Sequence, residues 1–427
     1  MENQGRTLYY NANLIDGTGQ VGKGYVLVQG HLLAEVKYGE PPQSLFREDV
    51  TTVDLNGRAL LPGMIDCHVH LTMDALPKLN PAVTDVDHMM AFMRASRNAL
   101  DTLHSGVTTV RDCGTPGNVD FALRRAAQEG LCITPRLLLS GQALCMTGGH
   151  GWQFLGVEVD GVDGARKAAR QQLKLGADNV KLIATGGILT PGTEIGNTQL
   201  TEDEMRAAVD EAHNAGKIAA AHAHGGTGIK NAIRAGVDSI EHGYFIDAEG
   251  IDLMLERGTT LVATSAAVRN VVTWGTQAGI PEAVVQKARS AISAHVASFK
   301  EARRRGVKLA MGTDSGVPFT RHGKNLDELV HLVSMGMTPM EAILVATRDS
   351  ARMLKLDHQV GTLEEGKYAD FIIVDGDPLQ DIAVLQDVER IRKVVLNGRQ
   401  VVDRDASEYL LGAAFSPISL KPAGATV

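Results

Sequence analysis

Short apolar runs alternate with longer amphipathic segments through the middle of the chain. Eight such runs occur, and most of them have the length of one buried strand. They comprise residues 60–70, 108–113, 136–140, 179–184, 218–223, 239–242, 260–264 and 308–314. Segments with apolar residues at helical spacing, such as 202–215 and 285–304, separate most of the runs. This alternation predicts an α/β fold in which eight parallel strands close into a (β/α)8 TIM barrel.

The two ends of the chain carry a different pattern, in which short β-prone runs are separated by glycine-rich turns. Asn56-Gly57 and Asn397-Gly398 are dipeptides typical of hairpin turns. We therefore predict that residues 1–58 and 361–404 are two halves of one small β-sandwich. A metal-dependent barrel would then span residues 59–360, and residues 405–427 would form a tail without an assigned fold.

Composition and charge narrow the class of protein. A length of 427 residues suits one barrel with a small companion domain, and 44% hydrophobic with 22% charged residues is typical of soluble globular proteins. A net charge of −8 without a basic block argues against nucleic acid as a partner. The four cysteines form no CxxC pair, and no apolar stretch approaches a membrane span. The sequence indicates a cytoplasmic protein with a small-molecule substrate and no membrane partner.

Histidines mark the end of the first apolar run. Side chains alternate between the two faces of a strand, so His68 and His70 point the same way. Two imidazoles at the C-terminal end of a barrel strand can hold one divalent ion. An HxH pair also occurs by chance, so this motif carries weight only together with others.

Lys181 lies inside the fourth apolar run, where an unpaired ammonium group would be costly. One interpretation is that its amine reaches a buried carboxylate. The other is that the neutral amine adds carbon dioxide and becomes a carbamate, whose two oxygens can bridge two metal ions. The run itself does not decide between these interpretations.

Further candidate ligands end the later runs, namely His222, His242 and Asp314. Each has an ordinary alternative, since a histidine can be a satisfied core residue and a strand-end aspartate can cap the next helix. Their shared placement favours a metal site, because barrel enzymes carry their chemistry at the C-terminal ends of the strands.

These motifs together resemble the amidohydrolase superfamily, over nearly the whole chain from about residue 8 to 402. Within the superfamily, the sequence is most similar to the branch of Xaa-Pro dipeptidases (prolidases), Xaa-Arg/Lys carboxypeptidases and ochratoxin-type amidases. The segments that carry the resemblance are Pro62–His70, Val180-Lys181 with Ala184–Gly187, Ala221–Ala223, Ile240–Gly243, Gly312–Asp314 and Gly361–Asp370.

The resemblance implies a binuclear metal centre with two divalent ions. Zinc is the expected metal, and manganese or cobalt is the alternative. His68, His70 and Asp314 would bind the more buried ion, and His222 and His242 the other. Lys181, carboxylated by CO2, would bridge both ions together with a hydroxide. Such a centre implies cleavage of an amide bond, with Asp314 moving the proton to the leaving nitrogen.

Four more residues are candidates for contacts with the substrate. His150, in a loop after the third run, and His224 are predicted donors to the oxyanion. The branch commonly has tyrosine at the position of His224. Arg269, just after the seventh run, is the first candidate to bind a substrate carboxylate, and Tyr244 is the second.

Several functions remain open from the sequence. The expected substrate is a dipeptide or an N-acyl amino acid, and the alternative is a cyclic amide or an aryl-amide xenobiotic or mycotoxin. A metal-free scaffold would be expected to lack at least one of the six ligands, and deamination usually proceeds without the bridging lysine. By analogy with other barrel hydrolases, we expect a homo-oligomer.

Overall fold

The computed structural model describes residues 5–77, 87–190, 192–280 and 282–406, except the side chains of residues 283 and 284. The predicted tail therefore lies outside the described residues from residue 407 onward. Eighteen strands occur in these ranges: β1 (Arg6–Ile15), β2 (Val21–Gln29), β3 (Leu32–Tyr38), β4 (Val50–Asp54), β5 (Ala59–Pro62), β6 (Met64–Val69), β7 (Val107–Asp112), β8 (Arg136–Leu138), β9 (Ala143–Cys145), β10 (Gly156–Glu158), β11 (Asn179–Ile183), β12 (Ile218–Ala223), β13 (Ser239–His242), β14 (Thr260–Val262), β15 (Leu309–Ala310), β16 (Phe371–Val374), β17 (Ile391–Leu396) and β18 (Arg399–Asp403).

Helices alternate with the central strands. They are α1 (His88–His104), α2 (Val119–Gln128), α3 (Gly161–Leu175), α4 (Glu202–Asn214), α5 (Gly226–Ala235), α6 (Ala248–Arg257), α7 (Ser265–Trp274), α8 (Glu282–Arg305), α9 (Asp327–Ser334), α10 (Pro339–Leu344) and α11 (Ser350–Met353). Local sequence signals set several helix ends. Thr201 and Glu204 form a capping box at the start of α4, and Gly236 ends α5 at a φ of 99° that favours glycine.

The central parallel strands form the predicted (β/α)8 barrel. Strands β6, β7 and β8 pair in parallel, and β11 to β15 pair in parallel in sequence order. Backbone hydrogen bonds from Cys67 to Met311 and from Asp314 to His68 join the first strand to the eighth. The amides of Asp178 and Asn179 bond to the carbonyl of Leu139 and join the third strand to the fourth. The α/β fold class predicted from the hydrophobic pattern is confirmed.

Both chain ends meet in one sheet of eight strands, as the prediction of a joint small β domain requires. The order along this sheet is β18-β17-β16-β5-β1-β2-β3, with β4 paired to β1. Leu60 in β5 pairs with Leu14 in β1 and with Ile373 in β16. The first apolar run therefore divides between two sheets, because β5 belongs to the chain-end sheet and β6 to the barrel. The predicted division into domains at residues 58, 360 and 404 stays a prediction.

The apolar core follows the barrel. A large cluster of buried side chains spans the strands and the helices packed around them, and a second cluster fills the chain-end sheet around Leu14, Val26 and Phe371. None of the helices in the described ranges is both long and apolar enough to cross a membrane. The packed barrel holds the C-terminal strand ends rigidly, and the candidate site lies there.

Candidate active site

One cavity at the C-terminal ends of the barrel strands collects all six residues predicted as metal ligands. They come from the first, fourth, fifth, sixth and eighth barrel strands or the residues just after them. The six residues are His68, His70, Lys181, His222, His242 and Asp314. Parallel strands place their C-terminal ends at the same rim of a barrel, and this brings residues far apart in sequence into one cavity.

His68, His70 and Asp314 form the half of the site between the first and eighth strands. A carboxylate oxygen of Asp314 lies 3.2 Å from Nε2 of His70 and 3.5 Å from Nε2 of His68. Both imidazoles are buried. Three donors that converge on one point in this way can hold one divalent cation.

His222, His224 and His242 form the other half. The ring centroid of His222 lies 4.6 Å from that of His242 and 4.5 Å from that of His224. One ligand nitrogen from each of the three rings lies within 4.8 Å of the other two. His242 also has a ligand atom within 4.8 Å of donors on His68 and Asp314, so the two halves are contiguous.

Lys181 lies in the barrel strand between these halves. Its residue is 1% exposed, and among the described residues its Nζ has no hydrogen-bond partner. Within the described residues, no carboxylate therefore bonds to this amine, as the first interpretation would require. A buried amine without a partner is costly, and histidines and an aspartate surround it. This donor set fits a metal centre in which the lysine carries an added carboxylate.

Three residues of the site lie in the left-handed backbone region, where residues other than glycine are uncommon. The φ angles are 71° at His242, 49° at Thr264 and 61° at Asp314. His242 ends β13, and the other two residues lie two and four positions past the ends of β14 and β15. Such conformations cost about 1–3 kcal/mol each and concentrate at functional sites.

Glu241 orients His68 from outside the cavity. Its carboxylate lies 2.7 Å from Nδ1 of His68 and accepts a 2.7 Å bond from the guanidinium of Arg111. All three side chains are buried. A carboxylate behind a histidine fixes the ring and leaves its other nitrogen, here Nε2, facing the cavity. Burial opposes ionisation of Glu241, but Arg111 and His68 outweigh it and hold its pKa well below the usual range.

Other histidines of the cluster are held in the same way. Nδ1 of His242 lies 2.7 Å from Oγ1 of Thr264, and Nδ1 of His70 lies 3.2 Å from the carbonyl of Gly114. Gly312 lies directly against His68, since a Cβ on Gly312 would be only 2.8 Å from Cβ of His68. His68, His70 and His242 are therefore held through Nδ1, which leaves Nε2 of each ring free to face the cavity.

The electrostatics of the site keep His68, His222 and His242 neutral and Asp314 ionised. Burial lowers the pKa of His68 to about 4 and holds the pKa of His222 and His242 well below the usual value. For Asp314, burial acts to raise the pKa, but the hydrogen bond from His70 and the electrostatic effect of the neighbouring nitrogen groups of His68, His70 and Lys181 lower it to about 2. Neutral imidazoles and a carboxylate are the forms that bind cations.

The predicted substrate contacts divide into two groups. His150, His224 and Tyr244 line the same cavity as the candidate metal ligands. Nδ1 of His150 lies 2.9 Å from Oγ1 of Thr190, and the ring of Tyr244 lies 4.3 Å from the ring of His224. Burial lowers the pKa of His150 to about 4 and that of His224 to about 3.

Arg269 is placed differently from this prediction. It is half-buried on α7 but is not among the described residues that line the cavity. Its charge acts on buried groups outside the cavity, and it lowers the pKa of His295. Since it does not line the cavity, its position gives no support to the predicted contact with a substrate carboxylate, which stays a prediction.

Sequence reasoning missed several residues that support the site. Glu241 and Arg111 are charges inside otherwise apolar strands, which is the signal that drew attention to Lys181. Asp66 was also missed, although its carboxylate accepts bonds from Thr313 and Asn325 and joins the ends of the first and eighth strands. A charged residue in a buried strand indicates a fixed partner but does not say which one.

Buried histidines and an aspartate at the C-terminal strand ends are the arrangement typical of barrel enzymes. A family model described as "Amidohydrolase family" matches residues 59–401, so the chain belongs to the amidohydrolase family. It is a hydrolase that acts on carbon–nitrogen bonds, as its relatives indicate.

Three relatives illustrate the similarity. Ochratoxinase from Aspergillus niger is 30% identical over 92% of this chain and 86% of its own length. The crystal structure of a Xaa-Pro dipeptidase with bound methionine has a TM-score of 0.85 and 36% identity, covering 92% of this chain and 99% of that chain. The crystal structure of a prolidase complexed with N-methylphosphonate-L-proline has a TM-score of 0.85 and 31% identity, and the match covers 93% of this chain and 100% of that chain.

Proposed function

We propose that the protein is a metal-dependent hydrolase with two divalent cations that cleaves a peptide-like amide bond, in a dipeptide or an N-acyl amino acid. One observation carries this proposal. Among the described residues, the buried amine of Lys181 has no hydrogen-bond partner, and it lies in the same cavity as the four histidines predicted as ligands and Asp314. Relatives that are named ochratoxinase and Xaa-Pro dipeptidase support amide hydrolysis as the reaction.

The six side chains divide between the two cations. His68, His70 and Asp314 would hold one cation, and His222 and His242 the other, with carboxylated Lys181 shared between them. Nitrogen and carboxylate donors suit zinc. When bound, the cations polarise the substrate carbonyl and make a water molecule acidic enough to attack near neutral pH.

Asp314 is the proton carrier in this proposal. Its carboxylate is ionised at neutral pH, so it can accept a proton from the attacking water. It can then donate that proton to the leaving nitrogen, since an amine is a poor leaving group unless it is protonated. The low pKa of the carboxylate makes the protonated form a strong donor.

His150 and His224 are proposed to stabilise the charge that develops on the carbonyl oxygen. The hydroxyl of Thr190 accepts a bond from the amide of Gly151, so its own proton can be donated to Nδ1 of His150. A neutral imidazole that accepts at Nδ1 carries its proton on Nε2 and can donate from there. Fixed donors of this kind are typically worth about 2.7–4 kcal/mol of transition-state stabilisation.

A second candidate substrate is a cyclic amide or an aryl-amide xenobiotic or mycotoxin. The apolar character of much of the cavity wall favours it, since Phe154, Leu155 and Val271 line the wall. The two candidates share the reaction and the metal centre, and they differ only in what flanks the amide bond.

The decisive experiment measures metal content together with the mass and activity of a Lys181→Ala variant. We expect the native protein to bind two metal ions per chain and to carry the additional mass of one CO2 on Lys181. The variant should lose metal and roughly a thousandfold in kcat, because a Lewis acid is worth several kcal/mol at the transition state. Short carboxylic acids should restore part of its activity.

A Lys230→Ala variant provides the matched control, because Lys230 pairs with Asp247 and Glu249 outside the site. It should retain metal and activity. Native activity in the Lys181→Ala variant would refute the carbamate, and a native protein without metal after incubation with zinc would refute the metal-dependent mechanism.

A further inference from the structure

A second cavity lies at the N-terminal ends of the last three barrel strands. Asp238 directly precedes β13, Thr260 begins β14 and Lys308 directly precedes β15, and all three residues line this cavity. Its volume is about 850 Å³, within the range usual for sites that bind small organic molecules. Among the described residues, none lines both this cavity and the active site. The second cavity, which we call the basal cavity, is therefore separate from the active site and lies at the opposite end of the barrel.

Positive charge is concentrated around the basal cavity. Six of its described lining side chains are lysine or arginine, namely Arg257, Arg303, Lys308, Arg348, Arg352 and Lys355. Three carboxylates also line it, those of Asp238, Glu341 and Asp349, and six positive against three negative side chains leave a net charge of +3. The whole chain carries a net charge of −8. The cavity therefore differs in sign from the protein as a whole, and it favours anions.

The carboxylates of the basal cavity pair with only some of these cations. Glu341 accepts bonds of 2.7 Å and 2.9 Å from the guanidinium of Arg303. Asp349 accepts bonds of 2.8 Å and 3.1 Å from Arg348, and it lies 3.3 Å from Arg352. These three arginines therefore have a partner inside the cavity.

The other three cations have weaker partners or none. Lys308 has neither an ion pair nor a side-chain hydrogen bond among the described residues. Nζ of Lys355 lies 3.9 Å from Asp238, whose carboxylate already accepts a 2.8 Å bond from a backbone amide. Nε of Arg257 lies 3.5 Å from its sequence neighbour Glu256, and both side chains are more than half exposed. Such an exposed pair contributes little, so three positive charges at the cavity are available to a ligand.

Helix ends do not account for all of these charges. Arg257 lies in the last turn of α6, where a positive charge stabilises the helix itself. Lys308 lies between α8 and β15, and its Nζ is 3.2 Å from the position that a Cβ on Gly258 would take. Although this ammonium group lies beside the end of α6, it donates no hydrogen bond to a carbonyl of the described residues there. Lys308 and Arg257 thus approach the same part of the cavity.

Lys355 occupies a backbone position that usually belongs to glycine. Its φ angle is 58°, and the next amide, that of Leu356, bonds to the carbonyl of Ala351 at 2.8 Å. This pattern ends a helix at a left-handed residue, which is most often glycine because a Cβ is unfavourable there. The backbone therefore gives no reason for a lysine at this position, whereas its charge at the cavity does.

We propose that the basal cavity binds a small organic anion with at least two negative charges, carried by phosphate or carboxylate groups. Lys308 and Arg257 hold one charged group of the ligand, and Lys355 holds another. The volume of the cavity is large enough for an organic molecule rather than a single inorganic ion. This inference does not depend on the proposed function, because the basal cavity shares no described residue with the active site.

Calorimetric titration of the zinc-loaded protein tests the proposal with two anions. Glucose 1,6-bisphosphate represents phosphates, benzene-1,3,5-tricarboxylate represents carboxylates, and glucose is the uncharged control. We expect one or both anions to bind with a stoichiometry of one per chain, and the tighter of the two identifies the charged group. Glucose should not bind. The affinity should fall when sodium chloride is raised to about 0.3 M, because salt screens exposed charges. Failure of both anions to bind would overturn the proposal.

Lys308→Ala locates the bound anion. The affinity should fall about tenfold or more, because the variant removes a charge-assisted hydrogen bond. Lys300→Ala is the matched control, since Lys300 is an exposed lysine on α8 that does not line the basal cavity, and it should bind as the native protein does. An anion bound at the metal centre would not be affected by Lys308→Ala, so equal affinity of this variant and the native protein would overturn the proposal.

Lys355→Gly separates anion binding from a structural role of the lysine. The affinity should fall about tenfold or more through the lost charge. The urea midpoint should stay the same or rise, because glycine adopts the left-handed conformation without strain. A lower urea midpoint with unchanged affinity would overturn the role of Lys355 in binding. If Lys308→Glu changed the oligomeric state in size-exclusion chromatography and neither anion bound, the cavity would be an interface between copies of the chain, and the proposal would fall.

Discussion

Buried charges at the centre of the barrel have specific partners. Glu241 is fully buried, and it bonds at the same time to His68, Arg111 and Ser239. Desolvation of such a group is repaid only when its hydrogen bonds are complete. The network therefore orients His68 and leaves no uncompensated charge behind the cavity.

Asp314→Asn tests the proton carrier at the scale of a single residue. The amide keeps an oxygen donor and the size of the side chain but cannot take up a proton at neutral pH. We expect kcat to fall about 10²–10⁴-fold, the usual contribution of general acid–base catalysis. Steady-state kinetics and metal analysis of the same preparation provide the measurement.

The metal analysis separates the two roles of Asp314. A variant that binds the native amount of metal and has lost activity supports proton transfer, whereas near-native kcat would exclude it. Asp247→Asn serves as the comparison, since Asp247 is exposed and caps α6. It should leave kcat unchanged.

Individual residues differed in how well the sequence predicted their position. His68, His70, Lys181, His222, His242 and Asp314 end or lie within predicted strands, and strand periodicity alone fixes which way such side chains point. Arg269 follows a strand and lies on a helix, where the direction of a side chain depends on how the helix packs. Hence the strand residues meet in the cavity and the helix residue does not.

At the scale of elements, the start of α7 is anchored by a buried carboxylate. Glu328 on α9 accepts hydrogen bonds of 2.8 Å and 2.7 Å from the amides of Ser265 and Ala266. Thr264, directly before α7, contacts His242 in the cavity. Glu328 thus links the position of a helix to a residue of the active site.

Glu328→Ala should destabilise the protein by removing the acceptor for two amides at the start of a helix. We expect the free energy of unfolding to fall by about 2–4 kcal/mol, the cost of a lost cap with buried unsatisfied donors. Glu328→Gln keeps one acceptor oxygen and should lose less. Urea denaturation of both variants at one pH provides the measurement, and equal stability of Glu328→Ala and the native protein would contradict the anchor.

At the scale of the whole molecule, buried neutral histidines make stability depend on pH. His295 lies outside the cavity wall, and burial, with a further effect of Arg269, lowers its pKa to about 3. In the unfolded chain its pKa is about 6.5. The unfolded state therefore binds a proton that the folded state does not, and the stability that is present above pH 6.5 is lost as the pH falls towards 3.

A His295→Gln variant should show a weaker pH dependence than the native protein. Between pH 6 and pH 4 the free energy of unfolding of the variant should fall less steeply than that of the native protein. The two slopes should differ by up to about 1.4 kcal/mol per pH unit. Urea midpoints measured across this range provide the comparison, with His358→Gln as the control at an exposed histidine. Parallel curves for the native protein and His295→Gln would disprove this contribution.

The sequence by itself determined the eight-strand alternation, the union of both chain ends and which residues the candidate site brings together at the strand ends. These features follow from side-chain periodicity and from the chemistry of residues at strand ends, which are local properties of the chain. It placed the first barrel strand too early, because Ala59–Pro62 is as apolar as β6 but pairs with Phe371–Val374 in the chain-end sheet.

Only the tertiary structure decided the partners of the buried charges and the apolar packing around the cavity. These features depend on contacts between residues that are far apart in the chain. Glu241 bonds to Arg111, which lies 130 positions earlier in the chain, and Ala267 packs with Phe154, although the two are also far apart in sequence. Local pattern does not encode such contacts, because they arise when packing of the barrel fixes the distances between elements.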